Sequence, residues 1–224
     1  MIPFMVKRLI LKDWYFQRLP ILGAIGMGAI ALLMVSAGGE AAFFSGTVLL
    51  VTVLIALGVH LVMATVVNEH TAQTLPFVMS LPISPREYTA AKILANLLIF
   101  LVTWGALSIG TGAVILGRAT VPDGFLPFAA VILGEILASY CLLLAVALVT
   151  ESQGWAIGVI VTTNFLFNAF LFWVAHMPSV AATMGTDVIV WTDALVLLLV
   201  AELAAIVFLL AFTLWARARK KDLL

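Results

Sequence analysis

Two carboxyl groups are set inside apolar stretches of this chain, Glu135 about seven residues into one and Glu202 about eight into another, counted from the same side. They therefore come to similar depth. An ionisable group in such a place is costly and often has a task. Two kinds of reading fit the pair: they line an outward-facing pathway or bind a cationic substrate group, or each is a carboxyl kept neutral by desolvation or bonded to a neighbouring helix. Asn164 and Asn168 stand four residues apart with Thr163 beside them, which puts both amides on one helical face. They suit hydrogen bonding between helices or the lining of the same pathway. His60 reads as a packed residue. No G-x-x-x-x-G-K-[ST] phosphate loop, H-E-x-x-H zinc pair or G-x-S-x-G nucleophile elbow occurs, and the three histidines are scattered. The chain is expected to carry no catalytic residues and to bind no metal or cofactor of its own.

Holding such groups in place falls to helices that cross a membrane. Hydrophobic residues make up 64% of the chain and charged ones 10%, against about 25% charged in a soluble domain. A span needs about 20 apolar residues, and six stretches qualify: Leu19 to Ala37, Phe43 to Val67, Ile93 to Gly117, Phe128 to Val149, Trp155 to Ala175 and Ala194 to Ala216. The expected fold is an all-α integral membrane protein, one domain over residues 1–224 with six transmembrane helices. Val35-Ser36-Ala37 resembles a signal-peptide cleavage site, but the apolar run before it is longer than a signal peptide uses, so the first stretch is read as a span.

Charge placement sets the expected orientation. Lys7, Arg8, Lys12 and Arg18 precede the first stretch, Arg86 and Lys92 lie between the second and third, and Arg217, Arg219, Lys220 and Lys221 follow the sixth. Only Arg118 falls on the other side, with Glu40, Asp123, Asp187 and Asp193. Cations are retained on the cytoplasmic side, so both termini and the second connection are expected there, in a bacterial-type inner membrane. The formal net charge of zero gives no reason to expect nucleic acid, and the single Cys141 excludes an intrachain disulfide.

Within residues 1–18 the four cations share one sector of a helical wheel while Val6, Leu9, Ile10, Trp14 and Phe16 occupy much of the rest. That pattern predicts an interfacial helix on the inner membrane surface; Asp13 and Gln17 fall on its apolar face, and the alternative is an irregular basic leader. Residues 176–193, with Pro178 and Gly185, read as a re-entrant or interfacial outer segment or as an ordinary loop. Small residues at close-packing spacing, Ala24 and Gly28, Ala106 and Gly110, Ser108 and Gly112, Gly154 and Gly158, are expected at helix contacts. Glu151, Ser152 and Gln153 form a second inner turn.

Residues 68–92 are the stretch built to face water. Ser84, Pro85 and Glu87 read as N-cap, first helical position and third position of a capping box, so a helix starts at Ser84 and runs through Lys92 into the third span. Ahead of it, Ala72 to Leu81 reads as a short helix whose Leu75, Phe77, Val78, Met79 and Leu81 put apolar surface in water, the mark of a docking site. In order, Glu69, Thr74-Leu75, Ser80-Leu81-Pro82-Ile83-Ser84, Glu87 and Lys92 resemble the cytoplasmic loop of permease subunits of type 2 ATP-binding-cassette (ABC-2) exporters, which reads E, T-L-E, S-L-P-[VI]-S, E and K. The six-span layout and the basic ends fit that family over essentially the whole chain. Pro76 stands where the family has an acid and would remove a helical hydrogen bond, so the coupling helix is expected to begin near Phe77.

The resemblance implies a division of labour. Glu69, Thr74, Leu75, Phe77, Val78, Met79, Leu81, Pro82 and Glu87 would couple the chain to a separate cassette ATPase, present in two copies and holding the ATP and Mg2+. A second permease chain, the same or homologous, would complete a translocation pathway in the lipid bilayer, with Glu135, Asn164, Asn168 and Glu202 as its candidate lining. The chain is then no enzyme by itself, and its substrate is not indicated. The rival readings are an integral membrane enzyme acting on lipid and a membrane scaffold or sensor without transport.

Overall fold

The structure, a computed structural model, describes residues 4–68, 85–118 and 120–219, with side chains from Leu11 onward and, after residue 84, from Thr89. Its helices are α1 (Phe4–Ser36), α2 (Glu40–Val62) continued by a π-helical turn (Met63–Val67), α3 (Pro85–Gly117), a 3-10 turn (Asp123–Phe125) leading into α4 (Leu126–Thr150), α5 (Gln153–Ala175), the short α6 (Pro178–Met184) and α7 (Asp193–Arg219). All but α6 are long and apolar enough to cross a membrane, which makes six. The chain is an all-helical, multi-pass membrane protein, and no strand occurs among the described residues. One end of the bundle, the charged end, carries Asp13, the π turn, Lys92, Glu151 and Arg217. The far end carries the α1–α2 turn, the 3-10 turn and α6.

α4 is the centre. Of its most apolar window 67% is buried, against 11% for α5 and for α7. Its Val131, Cys141, Leu144 and Leu148 join Leu54 and Leu61 of α2, Ile99 and Phe100 of α3 and Leu195 of α7 in one core. Bilayer lipid is as apolar as these side chains, so the bundle is held by close packing rather than by escape from water. Glycine decides where helices approach. A Cβ at Gly46 would lie 2.7 Å from the Ala31 carbonyl oxygen and 2.9 Å from the Val35 nitrogen, which seats α2 on α1. Gly28 and Gly110 join α1 to α3 by taking Leu107 and Leu32. The expected contact at Gly158 is absent: nothing lies within 4 Å of a Cβ there, because that face of α5 points out of the bundle.

The basic leader and the first span form one helix, with Pro20 inside it. No break separates a surface helix at 1–18 from a span at 19–37. The reason is packing: Asp13 and Gln17, which interrupt the apolar face of an isolated leader, are 4% and 7% exposed and bond into the bundle. α1 then turns into α2 at Gly38 and Gly39, whose φ of 80° and 91° lies where a side chain is strained. At the far end residues 176–193 form α6 and an irregular tail. α6 lies against the 3-10 turn, with Val180 fully buried, and the Gly124 N–H donates to the Thr186 carbonyl at 2.8 Å.

Candidate functional site

Polar side chains are buried together at the charged end. Lys92, in the second turn of α3, donates from Nζ to Asp13 Oδ2 of α1 at 2.9 Å, and both side chains are sealed from solvent at 2% and 5% exposure. One turn further along α3, Asn96 Nδ2 donates to the Lys92 carbonyl at 3.0 Å. Its Oδ1 is 2.9 Å from the Thr65 hydroxyl, which is also 2.7 Å from the Leu61 carbonyl. Thr65 belongs to the π turn, a geometry that recurs where a helix does a job. Beside this chain of bonds, His60 Nε2 donates to Gln17 Oε1 at 3.0 Å.

A second ion pair closes the other flank. Arg217 of α7 pairs with Glu151, and its Nε lies 3.5 Å from the Thr89 hydroxyl of α3. Glu151 ends α4 in the left-handed region, φ 55°, a conformation that costs a non-glycine residue about 1–2 kcal/mol; the guanidinium holds it there. α3 is thus gripped at Thr89 from α7 and at Lys92 from α1, while Asn96 ties it to the π turn. The turn at Glu151 thus meets Arg217 of its own chain.

These contacts flank both ends of residues 69–84: the π turn runs into that segment and α3 leaves it at Pro85. Thr65 lies four residues before that segment, and Thr89, Lys92 and Asn96 lie five to twelve residues after it. The coupling residues Glu69, Thr74, Leu75, Phe77, Val78, Met79, Leu81 and Pro82 lie outside the described residues, as does the side chain of Glu87. Of the motif, Lys92 is described, and it is buried in the bundle. The network itself escaped the sequence reading because its partners are 79, 43, 31 and 128 residues apart. A signal was present in the spacing: Asp13 with Gln17, and Lys92 with Asn96, each put two polar groups on one face of an apolar helix.

The intramembrane candidates form a looser group. The Glu202 carboxyl of α7 rests on the bare backbone of Gly134 of α4, where a Cβ would collide with Oε2, so it stands level with Glu135, the next residue. Among the described residues neither oxygen of Glu202 has a hydrogen-bond partner. Ser139 donates to Glu135 Oε1 at 3.1 Å. Among the described residues Asn164 and Asn168 make no bond to another helix: each Nδ2 donates at 2.8 Å to the carbonyl four residues earlier, Ile160 and Asn164, the usual refuge of a short polar side chain on an apolar helix. Ser139, Thr163 and Asn164 line one cleft, and Asn168 is exposed.

No family model matches the chain, and no curated protein and no solved structure matches it either.

Proposed function

We propose that this chain is the transmembrane permease subunit of an ATP-binding-cassette exporter, working as a dimer and driven by a separate ATPase. The observation that carries the proposal is the placement of the buried polar network. It ties the described residues on either side of 69–84, Thr65, Thr89, Lys92 and Asn96, to α1, α3 and α7, which would let a push on that segment reach the bundle. The motif residues from Glu69 to Lys92 supply the partner's identity by resemblance to the ABC-2 family. The charged end is then cytoplasmic and the membrane a bacterial-type inner membrane, with Trp14, Tyr15 and Phe16, all exposed on α1, at the inner interface, where aromatic side chains collect. ATP binding in the partner closes the ATPase pair, displaces residues 72–81 and opens the pathway outward past Glu135, Asn164, Asn168 and Glu202.

The test charges the apolar docking face. Burying each of Phe77, Val78, Met79 and Leu81 on a partner is worth on the order of 1.5–3 kcal/mol, so Val78→Asp and Met79→Asp should leave the chain inserted while reducing ATPase recovery on pull-down or abolishing substrate-stimulated hydrolysis. Variants that bind the ATPase and transport normally, or a purified wild-type chain that works with no ATPase present, end the assignment.

A further inference from the structure

Between α1 and α2 an open groove of about 240 Å³ is lined by Pro20, Gly23, Met27, Val53, Ala56 and His60, among others. Gly23, Met27, Ala56 and His60 are exposed, so in a bilayer the groove faces lipid. Small residues keep it open: Ala56 brings a single methyl group, and a Cβ at Gly23 would meet nothing within 4 Å.

The groove is apolar except toward the charged end of the bundle, where Pro20 and His60 are its last residues on the two helices. His60 Nε2 donates to Gln17 Oε1 at 3.0 Å, and in a neutral imidazole that leaves Nδ1 an acceptor. Among the described residues Nδ1 has no hydrogen bond, and an acceptor turned to hydrocarbon without a donor is costly. Pro20 adds a second one. It lies inside α1 and has no N–H, so the Phe16 carbonyl one turn back lacks its helical donor. Trp14, Tyr15 and Phe16, all exposed, mark the level where membrane meets water. Both acceptors therefore stand near the boundary of head groups and acyl chains.

Two acceptors call for a hydroxyl. Nothing at this end suits a phosphate: the Arg18 guanidinium lies over the Tyr15 ring, 4.2 Å from its centroid, and Lys12 stands 3.6 Å from the Asp13 carboxylate. We propose that the groove holds a neutral lipid whose free hydroxyl donates to His60 Nδ1 and whose tail lies along Gly23, Met27, Val53 and Ala56. The site is built from α1 and α2 of one chain, and it stands whether or not the chain serves an ATPase.

Photolabelling tests it on the full chain in phosphatidylcholine nanodiscs. The probes are a diazirine-bearing hexadecanol and its methyl ether, which keeps the tail and loses the donor, and labelled peptides of α1 and α2 are quantified by mass spectrometry. The expected result is labelling at Met27 and its groove neighbours by the alcohol, severalfold above the ether and displaced by unlabelled hexadecanol. Gly23→Leu should fill the groove and bring the signal to background, and His60→Phe should bring the alcohol down to the level of the ether. If His60→Phe does not assemble, Gly23→Leu still decides, because its side chain enters open space. Equal labelling by alcohol and ether in wild type, or wild-type labelling in Gly23→Leu, overturns the site. So does a groove that takes neither probe, the result if a second copy of the chain covers it.

Discussion

Asp13 and Lys92 meet where neither can reach solvent, and that makes their exchange for other residues informative. Breaking a buried pair by removing one partner strands a charge and costs about 3–5 kcal/mol, whereas replacing both by apolar residues of similar volume is often neutral. Asp13→Leu and Lys92→Met should each lower the unfolding midpoint of the purified chain, Lys92→Met the less because Lys12 Nζ also stands 3.6 Å from Asp13 Oδ1, and the double variant should regain most of the loss. If the double variant falls by the sum of the two, the pair is not the interaction that matters. The coupling proposal adds a second expectation. The regained stability of the double variant should come with weaker ATPase-driven transport, because α1 would then pack on α3 without being tied to it.

Among the elements, the approach of α2 to α1 and of α1 to α3 gives a contrast between two glycines. At Gly46 an added methyl meets backbone atoms of α1, and at Gly28 it meets the far end of the Leu107 side chain. Backbone cannot yield without moving a helix, and overpacking costs about 1–3 kcal/mol. Leucine can change rotamer, and alanine is better than glycine in a helix by about 1 kcal/mol. Gly46→Ala should therefore lower the thermal midpoint, while Gly28→Ala should leave it near wild type or raise it. Equal effects would mean that α1 and α2 separate readily. Elements were the most legible level of this chain. The six apolar runs are long enough to appear in the residues themselves. What did not show was the start of the first span. Pro20 and the polar Asp13 and Gln17 read as a break in local terms, and only their partners Lys92 and His60, on other helices, make them interior. The candidate site was legible in types but not in contacts: Lys92 stood out as part of a motif, whereas Asp13, Asn96, Thr65 and Arg217 meet it or its neighbours through tertiary packing alone.

For the molecule as a whole, the proposed orientation rests on ten of eleven cations lying on one side of the six-span scheme. In a Cys141→Ala background, single cysteines at Gly39, Asp123 and Thr186 should react with an impermeant thiol reagent added outside intact cells, and one at Arg86 should not. Labelling of Arg86 from outside would invert the scheme and place the docking segment beyond reach of any ATPase. The hydrogen bond from Ser139 to Glu135 has a meaning for how such a molecule comes to be made. Synthesis runs from the N-terminus, so α4 is complete before α7 exists, and during that interval Glu135 has neither Glu202 nor any of α5 to α7 beside it. Its partner four residues on is part of the same helix and arrives with it. A nascent α4 thus carries its own hydrogen-bond donor for the acid it must take into the bilayer, and waits for its neighbours with that group already engaged.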